Sequence, residues 1–324
     1  MRIMVRKILI AGLVLVCASA KAQNEGGEPV FHAASTMVTV PAVVRDSSRD
    51  FVTNLTASDF VLYDNGVQQR IKFVAIDHEP ISLVVVMQTG GTASRHFSDY
   101  ADLPLFLDWL IGDTKHELML VTFDSRVEII WHFPVRSDGV AHSLTHLHKG
   151  DGLGAMIDAV QLAVEQLQSE PGNFRRIVLL ISQENDEGST TPPEEALRML
   201  GKGSTAVYSL TFGAEGEKKS GKAVRGARKV HESNPLVAAV NNMREHTAAE
   251  LADYTGGAHL SFGTRREFDE AFKAMAGDMR DRYVLGFQPA AHSPGLHELN
   301  IEVREGLAVT GRGGYWFDPV LPAP

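Results

Sequence analysis

The sequence predicts an α/β protein: a doubly wound, mostly parallel sheet with one antiparallel edge strand, plus a small β subdomain drawn from both chain ends. Three observations predict it. Between residues 80 and 281, nearly continuous apolar runs alternate with segments of helical spacing, the pattern of strands buried on both faces of a helix-covered sheet. One connection in that series, Asp124-Ser125-Arg126, has only three residues, too few for a parallel crossover, so the strand after it pairs antiparallel. On either side, residues 36–79 and 282–317 read as short β strands, and chain ends often meet.

A leader precedes this frame. Arg2, Arg6 and Lys7 make a basic start, residues 8–17 are apolar, and Ala18-Ser19-Ala20-Lys21-Ala22 offers small residues for cleavage after Ala20 or Ala22. This is the layout of a secretory signal peptide over residues 1–22, too short to span a bilayer, which takes about 20 apolar residues. Val16 stands before Cys17 where a lipoprotein signal wants a small residue. An exported, periplasmic or secreted, chain is expected, with no membrane span once the leader is removed.

The 324 residues carry a formal charge of -9, with 44% hydrophobic and 22% charged residues, the balance of an ordinary globular protein. Four basic residues and no acidic ones lie in the leader, so the chain beyond it stands at -13. That balance argues against nucleic acid as a partner. The one cysteine, Cys17, also lies in the leader, which excludes an intramolecular disulfide and a CxxC metal site.

The elements follow in order. Residues 23–35 are a polar lead-in. Residues 37–44 are β-branched and read as a strand, with Pro41 pointing to an edge or a bulge. Residues 60–63 and 69–74 flank Asp64-Asn65-Gly66, a hairpin signal, because Asn and Gly tolerate positive φ. From residue 80, strands are expected at 81–87, 117–123, 127–133, 176–182, 205–212 and 258–262. Helices are expected at 99–111, 155–167, 193–200, 236–254 and 267–279, with Pro193 at a first helical position and Gly256-Gly257 as a stop. Residues 283–288, 297–303 and 307–310 return to strand, expected to join the N-terminal unit, and residues 318–324 are a tail.

Local phrases add a resemblance. Residues 81–87 followed by Thr89-Gly90-Gly91, the helix start Ala155-Met156-Ile157-Asp158-Ala159-Val160, the strand at 176–182, and Leu251-Ala252-Asp253-Tyr254-Thr255-Gly256-Gly257 through Phe268-Asp269-Glu270-Ala271-Phe272 are similar to the von Willebrand factor type A domain. The flanks Tyr63-Asp64-Asn65-Gly66, Tyr283-Val284-Leu285-Gly286-Phe287 and Arg312-Gly313-Gly314-Tyr315-Trp316 resemble secreted bacterial VWFA-related proteins. The resemblance implies a Rossmann-like fold and protein–protein recognition.

It also implies where a Mg²⁺ or Mn²⁺ site would stand, and this chain departs there. The family's Asp-x-Ser-x-Ser falls on Gln88, Gly90 and Thr92, its Thr on Gly154 and its last Asp on Gln183. Only Thr92 keeps a ligand of the expected kind. A hard cation wants oxygens with negative charge nearby, so no metal and no other cofactor is expected. The competing reading is that Asp151, Glu184 or Asp186 moves in to rebuild the site. If a protein partner docks at this edge, Gln88, Thr89, Thr92, Gln183 and Glu184 are the groups expected to meet it.

Other constellations carry less. His142, His146 and His148 have the i, i+4 spacing of a zinc pair, but Gly150 and Gly152 follow closely, so an exposed loop cluster is expected. Gly150-Asp151-Gly152-Leu153-Gly154 departs from the dinucleotide fingerprint. No G-x-S-x-G elbow, P-loop or H-E-x-x-H occurs. Residues 215–233 are rich in Lys and Arg and read as a solvated loop or an acidic partner's docking strip. The expectation is a non-enzymatic recognition, adhesion or envelope-assembly module for an unidentified protein partner. A scaffold with a vestigial edge, or a hydrolase on a doubly wound sheet, are the alternatives.

Overall fold

The computed structural model describes residues 37–111, 117–132, 142–143, 146–213, 234–290 and 293–318. The leader, the lead-in, the basic segment 215–233 and all of the tail but Asp318 lie outside the described residues. The chain begins with β1 (Val38–Arg45), β2 (Phe60–Asp64), β3 (Val67–Gln69) and β4 (Ile71–Ile76). Asn65 and Gly66 take φ of 48° and 78° and join β2 to β3 in register Asp64↔Val67, a two-residue turn with both central φ positive.

The middle of the chain supplies β5 (Ile81–Gln88), α1 (Leu103–Ile111), β6 (Glu117–Phe123), β7 (Val127–Trp131), α2 (Met156–Ser169), β8 (Arg175–Ser182), α3 (Pro193–Lys202) and β9 (Ala206–Phe212). Then come α4 (Pro235–Glu245), α5 (Thr247–Thr255), β10 (His259–Phe262) and α6 (Arg265–Arg280). Its six strands form one sheet ordered β10-β9-β8-β5-β6-β7. Every pairing is parallel except β6 with β7, as the three-residue link requires. β5 is buried at all eight positions, because both sheet faces are covered. Leu83, Val85 and Met87 pack with α1 and α6, while Val84 and Val86 pack with α2, α3, α4 and α5.

The chain closes with β11 (Tyr283–Phe287), β12 (Gly295–Val303), β13 (Ala308–Gly311) and β14 (Gly314–Phe317). These pair with the first strands in two four-stranded sheets, β13-β1-β11-β4 and β14-β12-β2-β3. Both line one apolar cluster that includes Val40, Val44, Leu62, Leu285, Ile301 and Phe317. Buried Arg312 ties this β unit to the central domain: Nη2 donates to the carbonyls of Leu200 (3.1 Å) and Gly201 (2.7 Å) near the end of α3, and Nε to Gly314 (2.7 Å). The side chains of Arg282 and Asp77, each 7% exposed, pair at 2.7 Å.

Four expectations need correction. β1 is an interior strand, between β11 and β13, not an edge at Pro41. Its carbonyl accepts the Arg312 N–H (3.2 Å), one position past the last β1–β13 pair, Ala42↔Gly311, so the absent proline donor faces a place where the neighbouring strand has ended. The expected strand at 69–74 is split, since β3 pairs with β2 and β4 pairs with β11 in the other sheet. The helix expected over 236–254 breaks at His246, and the break exposes N–H groups that Glu184 accepts. β14 was not expected as a strand. Among the described residues, no helix is long and apolar enough to cross a membrane.

Candidate functional site

From β5 the chain builds outward through β6 and β7, then crosses to β8, β9 and β10 on the other side. The crevice between the C-terminal ends of β5 and β8 is therefore the topological switch point, where open α/β sheets place ligands. Gln88 ends β5, Gln183 follows β8, and Gly154 lies just ahead of α2.

The Gln88 side chain lies inside this crevice, 1% exposed. Its Oε1 accepts the Gln183 backbone N–H at 2.9 Å, and its Nε2 lies 3.4 Å from the Gly90 carbonyl. A Cβ on Gly154 would stand 2.8 Å from Gln88 Nε2, inside the 3.5–4.0 Å of ordinary contact. A Cβ on Gly90 would overlap the Leu153 carbonyl. The longer residue at 88 and the bare positions at 90 and 154 thus form one arrangement, in which a carboxamide occupies the floor of the crevice.

The donor set does not fit a hard divalent cation. Positions 90 and 154 have no side chain, the Gln88 oxygen is engaged by an N–H, and its amide nitrogen faces Gly154. Asp151, Asp186 and Glu184 each hold backbone N–H groups. Asp151 Oδ1 accepts the N–H groups of Ser125 (3.1 Å) and Leu153 (3.0 Å), and hydrogen bonds from Ser125 and Leu153 hold its carboxyl below the usual carboxylate range. Asp186 Oδ1 accepts from Ile157 N–H (3.0 Å) at the start of α2 and from the Ser189 hydroxyl (2.5 Å). Glu184 Oε1 accepts from Ala249 N–H (3.1 Å) in the first turn of α5, and its carbonyl from Ala248 (3.0 Å), placing negative charge at a helix N-terminus.

The edge expected to meet a partner is therefore narrower than the sequence suggests. Gln88 and Thr89 are buried, and the Thr89 hydroxyl donates to the Phe123 carbonyl (3.1 Å). Glu184 serves α5, and its Oε2 lies 3.2 Å from His259 Nε2. Thr92 is exposed and Gln183 half-buried. Beside them stands Leu153, 48% exposed, an apolar tip that sequence reasoning passed over because it lies in a glycine-rich loop.

Three of that loop's N–H groups are engaged within the protein. The Gly150 N–H donates to the Thr89 carbonyl (2.9 Å), Asp151 N–H to Asp124 Oδ2 (3.1 Å) and Leu153 N–H to Asp151 Oδ1 (3.0 Å). The His142 and His146 rings lie tilted at 37° to each other with centroids 4.4 Å apart, and His146 Nδ1 donates to the His142 carbonyl (2.8 Å). Among the described residues no group of three His, Cys, Asp or Glu is placed to hold a metal.

A second cluster was invisible in the sequence. In the β unit, His297 Nδ1 lies 2.7 Å from Asp64 Oδ1, and the Tyr315 hydroxyl donates to Asp64 Oδ2 at 2.8 Å. All three residues are buried. The Ser293 hydroxyl is 3.3 Å from His297 Nε2, which gives the residue types of a Ser-His-Asp relay. The proton order differs from one: Nε2 is 2.7 Å from the Ser293 carbonyl, which only accepts, so that nitrogen carries a proton and is unable to take another. Burial opposes the charged imidazole, but the Asp64 carboxylate and the Ser293 carbonyl hold His297 above the ordinary imidazole value.

No protein-family model matches the chain, and no curated protein does. Among solved structures it is similar to von Willebrand factor type A from Catenulispora acidiphila, at 11% identity and TM-score 0.46, over 83% of this chain and 76% of that one. It is similar to an aerotolerance-related membrane protein from Bacteroides fragilis, at 14% identity and TM-score 0.43, over 61% and 98%. It is also similar to the conserved hypothetical protein BatB from Bacteroides thetaiotaomicron, at 15% and 0.37, over 60% and 98%.

Proposed function

We propose that the protein is an exported protein-recognition module, acting in adhesion or envelope assembly, whose binding edge works without a metal ion and carries no catalytic residues. The observation that carries this reading is the Gln88 carboxamide, which spans from Gln183 N–H toward the Gly90 carbonyl across the floor of the switch-point crevice. With that floor filled, the partner meets Thr92, Gln183 and Leu153, two polar groups beside one apolar tip. Export rests on the leader at residues 1–22, and sequencing the exported protein's N-terminus should begin at Lys21 or Gln23.

Calorimetric titration with Mg²⁺ and Mn²⁺ tests the metal part, with no saturable heat expected at micromolar metal. Capture of the partner from envelope extract should survive EDTA and be lost on joint substitution of Thr92, Leu153 and Gln183 by alanine. Saturable heat, or loss of capture in EDTA, refutes metal independence. The burial of Gln88 and Thr89 favours a second reading, a scaffold with a vestigial edge, and capture that survives the triple substitution selects it.

A further inference from the structure

The start of α5 meets a closed chain of hydrogen-bonding groups on the sheet. His259 opens β10 and pairs with Ser209 of β9 in parallel register. Its Nδ1 lies 2.8 Å from the Ser209 hydroxyl oxygen, and its Nε2 lies 3.2 Å from Glu184 Oε2. The Ser209 oxygen is also 3.0 Å from the Ala248 carbonyl, in the first turn of α5. Glu184 completes the chain, since its carbonyl accepts the Ala248 N–H and its Oε1 the Ala249 N–H. The end of β8, β9, β10 and α5 thus meet around one imidazole. Ser209 is 0% exposed, so its hydroxyl divides between the imidazole and the Ala248 carbonyl.

A neutral ring has too few protons for all of these contacts. A hydroxyl donates one proton, and a carbonyl only accepts. When the Ser209 hydroxyl serves Ala248, its oxygen needs a proton from Nδ1, while the Glu184 carboxylate needs one from Nε2. Both ring nitrogens are then protonated. A neutral ring carries a single proton, which the carboxylate draws to Nε2, and Nδ1 becomes an acceptor that takes the Ser209 hydroxyl from Ala248. We propose that His259 is a proton-operated switch: protonated, it places the Ser209 hydroxyl on the Ala248 carbonyl and ties α5 to β9; neutral, it takes that hydroxyl itself and releases the tie. The charged and titratable groups facing the ring are Glu184 after β8, Asp253 on α5 and His246 at the α4–α5 break. α6 lies on the other face of the sheet, against Leu260 and Phe262. Burial outweighs the attraction of Glu184 and Asp253, and His246 adds to it, so the ring is held below its ordinary value of 6.5. The neutral setting therefore holds at neutral pH, and the switch turns in mild acid.

NMR titration of the isotope-labelled full chain reads both halves of the switch, with His259→Gln identifying the ring signal. At neutral pH the ring should carry its proton on Nε2. On acidification it should gain the second proton below pH 6.5, and the Ala248 carbonyl carbon should shift with the same midpoint. Glu184→Gln removes the attracting charge and should lower that midpoint by about one pH unit. Ser209→Ala should leave the ring titrating and abolish the Ala248 shift, which a merely structural role for the serine would not do. The tautomer and the carbonyl shift are read in the wild-type chain, so the test decides even where a variant fails to fold. A ring protonated on Nδ1 at neutral pH, an Ala248 carbonyl that does not follow the ring, a midpoint unmoved in Glu184→Gln, or a carbonyl shift that persists in Ser209→Ala overturns the proposal.

Discussion

Placing a methyl group on Gly154 should set it against the Gln88 carboxamide. The added Cβ would stand 2.8 Å from Nε2 and 3.2 Å from Cδ. An exposed glutamine would swing aside at little cost, but Gln88 is 1% exposed and its oxygen accepts the Gln183 N–H. Moving it leaves that N–H short of a partner, about 1–3 kcal/mol if it stays buried, and overpacking of this kind costs about 1–3 kcal/mol. Gly154→Ala should therefore destabilise by about 2–3 kcal/mol. In a Gln88→Ala background the obstruction is gone, and the same change should be neutral or stabilising by about 0.4–1 kcal/mol, through the unfolded chain. Urea midpoints of the four proteins close the cycle, with a coupling of about 2–4 kcal/mol expected. Additivity within about 0.5 kcal/mol would show that the carboxamide and Gly154 are not one arrangement.

Asp64→Asn should cost about 3–5 kcal/mol, the usual result of breaking a buried pair by removing one partner. Because the folded-state value of His297 is raised above 6.5, the pair's contribution is full below 6.5 and lost as pH rises through the raised value. The wild-type advantage over the variant in thermal melts should therefore shrink from mildly acid to alkaline pH, and a constant advantage would refute a charged His297. Arg312→Met removes a buried guanidinium from three carbonyls and should lower stability by about 2–4 kcal/mol in denaturant titrations, hydrogen bonds to charged groups being about 1.5–3 kcal/mol each. Gly66→Val places a β-branched residue at φ 78° and should cost about 1–3 kcal/mol, read as a lowered melting temperature.

What the sequence made legible was local. The run at 81–87 announces a strand buried on both faces, the three-residue link announces an antiparallel β7, and Asn65-Gly66 announces its turn. What it concealed depended on distant partners. The break between α4 and α5 has no glycine or proline to mark it. It occurs because Glu184, more than sixty positions earlier, accepts the N–H groups of Ala248 and Ala249. The switch between sheets at Arg70 leaves β3 and β4 separated by a single residue, so one strand-like run serves two ladders. At the crevice the sequence placed Gln88, Gly90, Gly154 and Gln183. It did not show that Gln88 fills the space left by Gly154, since side-chain packing between residues 66 positions apart leaves no periodic trace. The Asp64, His297 and Tyr315 cluster has the same character, with Asp64 and His297 lying 233 positions apart.

The two ladders flanking β1 are made with β11 and β13, so Val40 waits for Leu285 before it has a neighbour. During synthesis β1 travels with both its hydrogen-bonding edges open while the whole central domain passes behind it. Such an edge is a template for wrong pairings, and closing it late is the kind of long-range step that makes folding slow. The β2–β3 hairpin can form at once, but the sheet that needs β1 is sealed only by the last strands to emerge. β11 and β13 therefore act as a latch on β1, and a protein cut short before residue 283 should yield a chain in which β1 seeks partners in other molecules.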